Sequence, residues 1–163
     1  MINLIQKQKN FFFSFFLILL IFLIDRISKI YIINLTKENF DINIYTSEFL
    51  NLTLIWNEGI AFGLFSNSNE FFYNILTALI VLISIGVLFF CMRYKGFKRF
   101  ALLCILGGSL GNLYDRISYS AVPDFIDFHF NGFHWFIFNV ADIFITVGVI
   151  IMIMTEFFVK TKN

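Results

Sequence analysis

Phe138–Phe144 reads FNVADIF, and the meaning of Asp142 inside it decides how the chain is understood. The stretch opens an apolar run, Trp135 to Val159. A bilayer crossing needs roughly 20 such residues in a helix. An aspartate inside such a run is costly unless it faces a partner or a wet cavity. In a helix beginning at Trp135, a rise of 1.5 Å per residue puts Asp142 about 10 Å along the axis. Asn139 and Thr146 then share its face. Long apolar sequence follows Asp142, and no basic residue lies on that face. Its partner has to come from elsewhere in the chain, and Asp124 is a candidate.

The composition supplies the setting. Of 163 residues, 59% are hydrophobic, 20% aromatic and only 14% charged, whereas soluble domains are about half apolar and about a quarter charged. A soluble core of this size could not bury so much apolar surface. The expected fold is therefore an all-α integral membrane protein, one domain over residues 1–163. Four transmembrane helices are expected at Phe11–Ile33, Phe71–Met92, Phe100–Ile117 and Trp135–Phe158. Lys7 and Lys9 before the first span resemble an export signal. No small-x-small site follows, and Asp25, Arg26 and Lys29 do, so the span is read as retained. A net charge of +1 suggests no nucleic-acid partner. Cys91 and Cys104 form no disulfide or CxxC pattern and are expected to be reduced fillers.

Charge orients the spans. Lys7, Lys9, Arg93, Lys95, Lys98, Arg99, Lys160 and Lys162 lie at the termini and in the middle loop, with Glu156 as their one acidic neighbour. The other ten acids and four bases lie on the opposite side. Both termini are expected in the cytoplasm, with 34–70 and 118–134 outside. In FLNLTLIWNEGIAFGLF (Phe49–Phe65), alternation over Phe49–Trp56 predicts a short strand, and Gly59 and Gly63 a turn or close approach. A small extracytoplasmic β-sheet of about two strands, with loops, is expected on the outer membrane surface.

Polar residues then gather at one end. Gly108, Asn112 and Asp115 follow i, i+4, i+7 spacing on the third span. Asp25 and Lys29, four apart, fit either a helix-surface ion pair or a functional cluster. Asn74, Thr77 and Ser84 on the second span fit helix packing. Asp25, Asn112, Asp115, Arg116, Asp124, Asn139 and Asp142 all map to the outer side, and the inner halves carry almost nothing ionisable. A channel or transporter needs polar groups through the full depth. A non-catalytic scaffold offers no reason for Asp124 and Asp142 to converge. Two converging carboxylates share a proton, so one serves as general base on water and the other as general acid. Peptide hydrolysis then needs no nucleophilic side chain and no metal. The segment DFHFNGFHW holds Asp127, His129 and His134, but the spacing fits no standard zinc motif, and no metal or other cofactor is expected.

Five pieces carry a family resemblance: DRISK (Asp25–Lys29), NEGIAFGLF (Asn57–Phe65), GGSLGNLYDR (Gly107–Arg116), VPDFIDF (Val122–Phe128) and FNVADIFITVG (Phe138–Gly148). In this order they resemble the bacterial lipoprotein signal peptidases, or type II signal peptidases. The resemblance implies an aspartyl endopeptidase of the bacterial cytoplasmic (inner) membrane that cuts diacylglyceryl-modified prolipoproteins just before the lipidated cysteine. It implies Asp124 and Asp142 as the catalytic dyad. Asp25, Lys29, Asn57, Gly108, Asn112, Asp115, Arg116, Asn139 and Ala141 match positions that line or support the family's site. Expected partners are prolipoprotein substrates and membrane lipids. Entry of a lipid-bearing substrate from the side favours a monomer. Ile60 departs from the family's usual alanine and Pro123 from its frequent valine.

Overall fold

The computed structural model describes residues 2–39, 43–59, 70–131 and 133–160. The elements are α1 (Ile2–Asn39), β1 (Asn43–Thr46), β2 (Leu50–Asn57), α2 (Glu70–Arg93), α3 (Gly96–Tyr119), β3 (Val122–Phe130), β4 (Phe133–Phe138) and α4 (Val140–Lys160).

Three helices contain stretches long and apolar enough to cross a membrane: Asn10–Glu38, Tyr73–Arg93 and Val140–Phe158, with mean hydropathies of 2.2, 2.9 and 2.1. Their outward faces carry exposed Phe, Leu and Ile, among them Phe16, Leu82 and Ile150, as a lipid environment demands. The third expected span, Phe100–Ile117, falls within α3, which does not meet that apolar criterion. α3 packs against α1, α2 and α4 and buries Ala101, Leu103, Leu106, Gly107, Gly108, Gly111, Asp115 and Arg116. A helix surrounded by protein is free to carry polar groups that lipid would penalise. It ends at Ser120, whose left-handed backbone (φ 54°) lets its N–H donate to the Arg116 carbonyl.

Glycines set the spacing around α3. A Cβ on Gly108 would lie 2.5 Å from the Ala141 carbonyl oxygen, and one on Gly111 would lie 2.5 Å from Asp25 Oδ2. On α1, Ile21, Asp25, Lys29 and Ile32 form one buried stripe at helical spacing.

The strands form one antiparallel sheet in the order β1-β2-β3-β4. Leu54 and Phe125 on its buried face pack with Ile32 of α1. The strand expected at Phe49–Trp56 is β2. The sheet is larger than the two strands expected, because 118–134, read as a loop, supplies β3 and the start of β4. Asn131 (φ 49°) helps turn that hairpin, in a conformation asparagine tolerates.

The fourth helix begins at Val140, which corrects the expected start at Trp135. Phe133–Phe138 is rich in aromatic residues suited to strands and pairs with β3, with Ile126 opposite Phe138 and His129 opposite His134. Hydropathy alone merged this strand with the helix behind it. α1 also extends past both ends of Phe11–Ile33. Pro123 is buried near the start of β3, which pairs with β4 only from Ile126 onward, so proline is tolerated there. Ile60 and Gly63 lie outside the described residues.

Candidate active site

The junction between β4 and α4 builds the site. Asn139 precedes the first residue of α4, and its Oδ1 accepts the N–H of Asp142 at 3.1 Å. Asp142 Oδ2 in turn accepts the N–H of Asn139 at 3.2 Å. This reciprocal pair is a capping box, which satisfies amides that a helix start leaves without intrahelical partners. Asp142 therefore sits in the first turn of α4, not about 10 Å below its start. The N–H of Ala141 donates to Asp25 Oδ1 at 3.0 Å, so a second carboxylate closes the same helix end.

Asn139 also reaches the other aspartate. Its Nδ2 donates to Asp124 Oδ1 at 2.6 Å, and Asn57 Nδ2 donates to Asp124 Oδ2 at 2.9 Å. Asp142 Oδ1 accepts Asn112 Nδ2 at 2.8 Å. Asp124 and Asp142 both line a cavity of about 240 Å³, with Asn57, Asn112, Arg116 and Asn139 as polar wall and Ile80, Ile83 and Ile145 as apolar wall. Burial pushes the Asp124 carboxyl up to about 6, and the neighbouring Asp142 charge adds to that. The amide donors from Asn57 and Asn139 act in the opposite direction.

Behind the cavity lies a buried ion network. Lys29 Nζ uses its three donors on Asp25 Oδ2 (2.9 Å), Asn112 Oδ1 (2.8 Å) and Asp115 Oδ2 (2.7 Å). Because Asn112 presents its oxygen to Lys29, its NH₂ faces Asp142. Arg26 Nη2 donates to Asp25 at 3.1 Å and to Asp115 at 2.7 Å, and Nη1 pairs with Asp115. Asp25 and Lys29 have no exposed side-chain surface, so they form no helix-surface pair. Arg116 donates from Nη2 to the Gly59 carbonyl, while its Nε and Nη1 are buried without a partner among the described residues.

The described structure thus brings Asp25, Lys29, Asn57, Gly108, Asn112, Asp115, Asp124, Asn139, Ala141 and Asp142 into one connected assembly, with Arg116 beside it. Ala141 contributes a backbone N–H, and Gly108 contributes the absence of a side chain. Arg26 was not among the expected site residues. Charge balance was the signal for it, since two buried acids, Asp25 and Asp115, need a second base beside Lys29. Asp127, His129 and His134, which match no linear metal motif, meet through strand pairing, with ligand atoms within 4.8 Å of one another.

The fold is similar to that of solved bacterial membrane enzymes. One such solved structure superposes with a TM-score of 0.71 at 26% identity, covering 92% of this chain and 90% of that one. A second gives 0.69 at 32% identity, covering 88% and 91%. Residues 17–158 match the model of the family described as signal peptidase (SPase) II. The chain belongs to that family and is a membrane-embedded protease. A lipoprotein signal peptidase of Pelagibacter ubique (strain HTCC1062) is 51% identical over 95% of this chain and 93% of its own length. One from Francisella tularensis subsp. novicida (strain U112) is 38% identical over 99% of both.

Proposed function

We propose that the protein removes signal peptides from diacylglyceryl-modified prolipoproteins by aspartyl hydrolysis before the lipidated cysteine, with Asp124 and Asp142 as the catalytic dyad. The observation that carries this reading is Asn139, which hydrogen-bonds both carboxylates at the edge of one cavity. Two carboxylates in such a site hold one proton between them. The ionised member takes a proton from the attacking water. The protonated member donates to the peptide carbonyl oxygen, and the amine leaves with a proton returned by the dyad.

The other residues bind and orient. Asn57 and Asn112 each fix one carboxylate by a single amide donor. Lys29, with Asp25, Asp115 and Arg26, fixes Asn112 and the start of α4. The unpartnered Nη1 of Arg116 is a donor for a substrate carbonyl. Ile83 on the apolar wall is 53% exposed, which supports a side opening for a substrate whose cysteine carries acyl chains.

In this reading the whole chain is one monomeric domain in the inner membrane. α3 is the fourth crossing, shielded from lipid by the other three helices. Both termini and 94–95, between α2 and α3, face the cytoplasm, and the sheet and dyad lie at the outer leaflet. The charge asymmetry supports this orientation. Single cysteines replacing Lys95 and Asn131, in a chain lacking the buried Cys91 and Cys104, should label from opposite sides; labelling from one side refutes it. Function is tested with a lipidated model prolipoprotein in proteoliposomes, read by gel mobility. Wild type should convert it and Asp142→Asn should not, whereas robust cleavage by Asp142→Asn defeats the dyad.

A further inference from the structure

The β3–β4 hairpin holds a second group of chemically able side chains that hydrolysis at Asp124 and Asp142 does not use. Asp127 and His129 on β3 and His134 on β4 place their ligand atoms within 4.8 Å of one another. Asp127 is 3% exposed, and its carboxylate lies 2.8 Å and 3.0 Å from His134 Nδ1. Asn51 Nδ2 donates to Asp127 Oδ2 at 3.3 Å. Among the described residues, no group hydrogen-bonds the buried His129 Nδ1. A buried imidazole nitrogen is normally satisfied, and coordination of an ion would satisfy this one. The β3–β4 register also shifts between Asp127 and His129, an irregularity of the kind that re-aims side chains.

We propose that Asp127, His129 and His134 form a binding site for a divalent transition-metal ion, Zn²⁺ foremost, that clips β3 to β4. Two imidazoles and one carboxylate suit Zn²⁺, with Cu²⁺ as a stronger-binding competitor, while Mg²⁺ and Ca²⁺ prefer all-oxygen ligands. Donors bound to a tetrahedral ion at about 2.1 Å stand about 3.4 Å apart, so small side-chain shifts bring donors that lie within 4.8 Å of one another to that spacing. The His129 and His134 rings are stacked, 5.1 Å between centroids and 19° between planes. Their in-plane lone pairs therefore lie in nearly parallel planes. His134, whose side chain is 54% exposed, has room to turn about Cβ–Cγ and converge on the ion. Its hydrogen bond to Asp127 is exchanged for shared coordination, and Asn51 keeps the carboxylate oriented.

The site stands independently of the peptidase reading, but its position gives it leverage there. Asp124 lies on β3 three residues before Asp127, and β4 runs directly into Asn139. An ion joining the strands stiffens the hairpin that carries one carboxylate and leads into the cap of the other.

The test uses full-length protein purified in detergent without a polyhistidine tag. Co²⁺ is added while visible absorption is followed, and Zn²⁺ is then used to displace it. One Co²⁺ per chain should bind with the intense bands of low-coordinate cobalt, and Zn²⁺ should abolish them. Zn²⁺ should also raise the unfolding temperature by several degrees. His129→Ala/His134→Ala should lose both responses, with Zn²⁺ affinity lowered at least about 100-fold, beyond the usual cost of losing an outer-shell partner. If that variant does not fold, His134→Ala, at an exposed side chain, carries the same expectation. Asp124→Asn/Asp142→Asn should retain Co²⁺ binding, which separates the hairpin from the cavity. Absence of the cobalt bands, an undiminished Zn²⁺ response in His134→Ala, or loss of binding in the Asp124→Asn/Asp142→Asn protein overturns the proposal.

Discussion

Asp25 and Asp115 meet two cations, whereas the hydrogen bonds reaching Asp124 and Asp142 come from amide groups alone among the described residues. The two pairs sit in one polar core only a few bonds apart, joined through Lys29 and Asn112. Cations in direct contact offset the charge of a buried carboxylate and fix its position. Amides orient a carboxylate while leaving its charge uncompensated, so burial and a like neighbour can drive proton uptake. The first pair is suited to holding helices together, and the second to moving protons.

The largest expected effect breaks the second pair. Asp124→Asn or Asp142→Asn should lower cleavage of a lipidated prolipoprotein by about 10²–10⁴-fold or more. The double change should cost little beyond either single one, because the two act as a unit. Folding, followed by size-exclusion and thermal unfolding in detergent, should persist. The first pair should respond in the opposite sense. Lys29→Met leaves two buried carboxylates with one cation and should cost about 3–5 kcal/mol of stability. Lys29→Met/Asp115→Asn should recover part of that loss, and failure to do so would show that charge balance is not what Lys29 supplies.

Gly108→Ala tests how the two regions are held in register. Its methyl would meet the Ala141 carbonyl and the Ile145 side chain, so α3 and α4 must separate. A loss of about 1–3 kcal/mol in stability is expected, with kcat falling as Asp142 shifts. The pH profile sharpens the proton argument. Asp124 ionises at about 6, so cleavage should decline along an alkaline limb as pH rises through that value and the dyad loses its proton. The Asn57 amide favours the ionised form. Asn57→Ala should therefore move the limb to higher pH, and a shift to lower pH would contradict the assignment. The smallest effect belongs to Lys98–Glu156, an ion pair at 2.7 Å with Glu156 61% exposed. Lys98→Ala should leave the unfolding temperature almost unchanged, since water already solvates such charges.

Much of this core was legible in the sequence because intramembrane polar residues are rare enough to stand out. Asn112 and Asp115 share a face by spacing alone, and the isolation of Asp142 demanded a partner. The resemblance supplied what spacing could not, the pairing of Asp124 with Asp142. The start of α4 was misplaced because Trp135–Phe138 is as apolar as the helix behind it, and hydropathy does not separate a membrane-surface strand from a span. The capping box could have marked the boundary, since Asn139 and Asp142 stand at N-cap and N3 spacing. The hairpin residues were picked out in the sequence and set aside because linear spacing hides their meeting: strand register sets His129 opposite His134. The expected span at Phe100–Ile117 falls within α3, whose polar residues are sheltered because α3 packs against the three other helices.

The start of α4 has a consequence for the membrane itself. Val140–Phe158 is 19 residues, which rise about 28 Å, close to the roughly 30 Å hydrocarbon thickness of a bilayer. Asp142, the third residue of that helix, is tied by its own hydrogen bonds to the start of this length. With the proposed dyad and orientation, the helix acts as a depth gauge that sets the reaction plane against the boundary where headgroups meet acyl chains. In a thicker bilayer α4 sinks or the lipid thins around it, and the lipid anchor of a substrate no longer presents its peptide bond at the level of the carboxylates. Turnover in vesicles of graded acyl length should peak where hydrophobic thickness matches α4, so hydrophobic mismatch becomes a variable of the rate law.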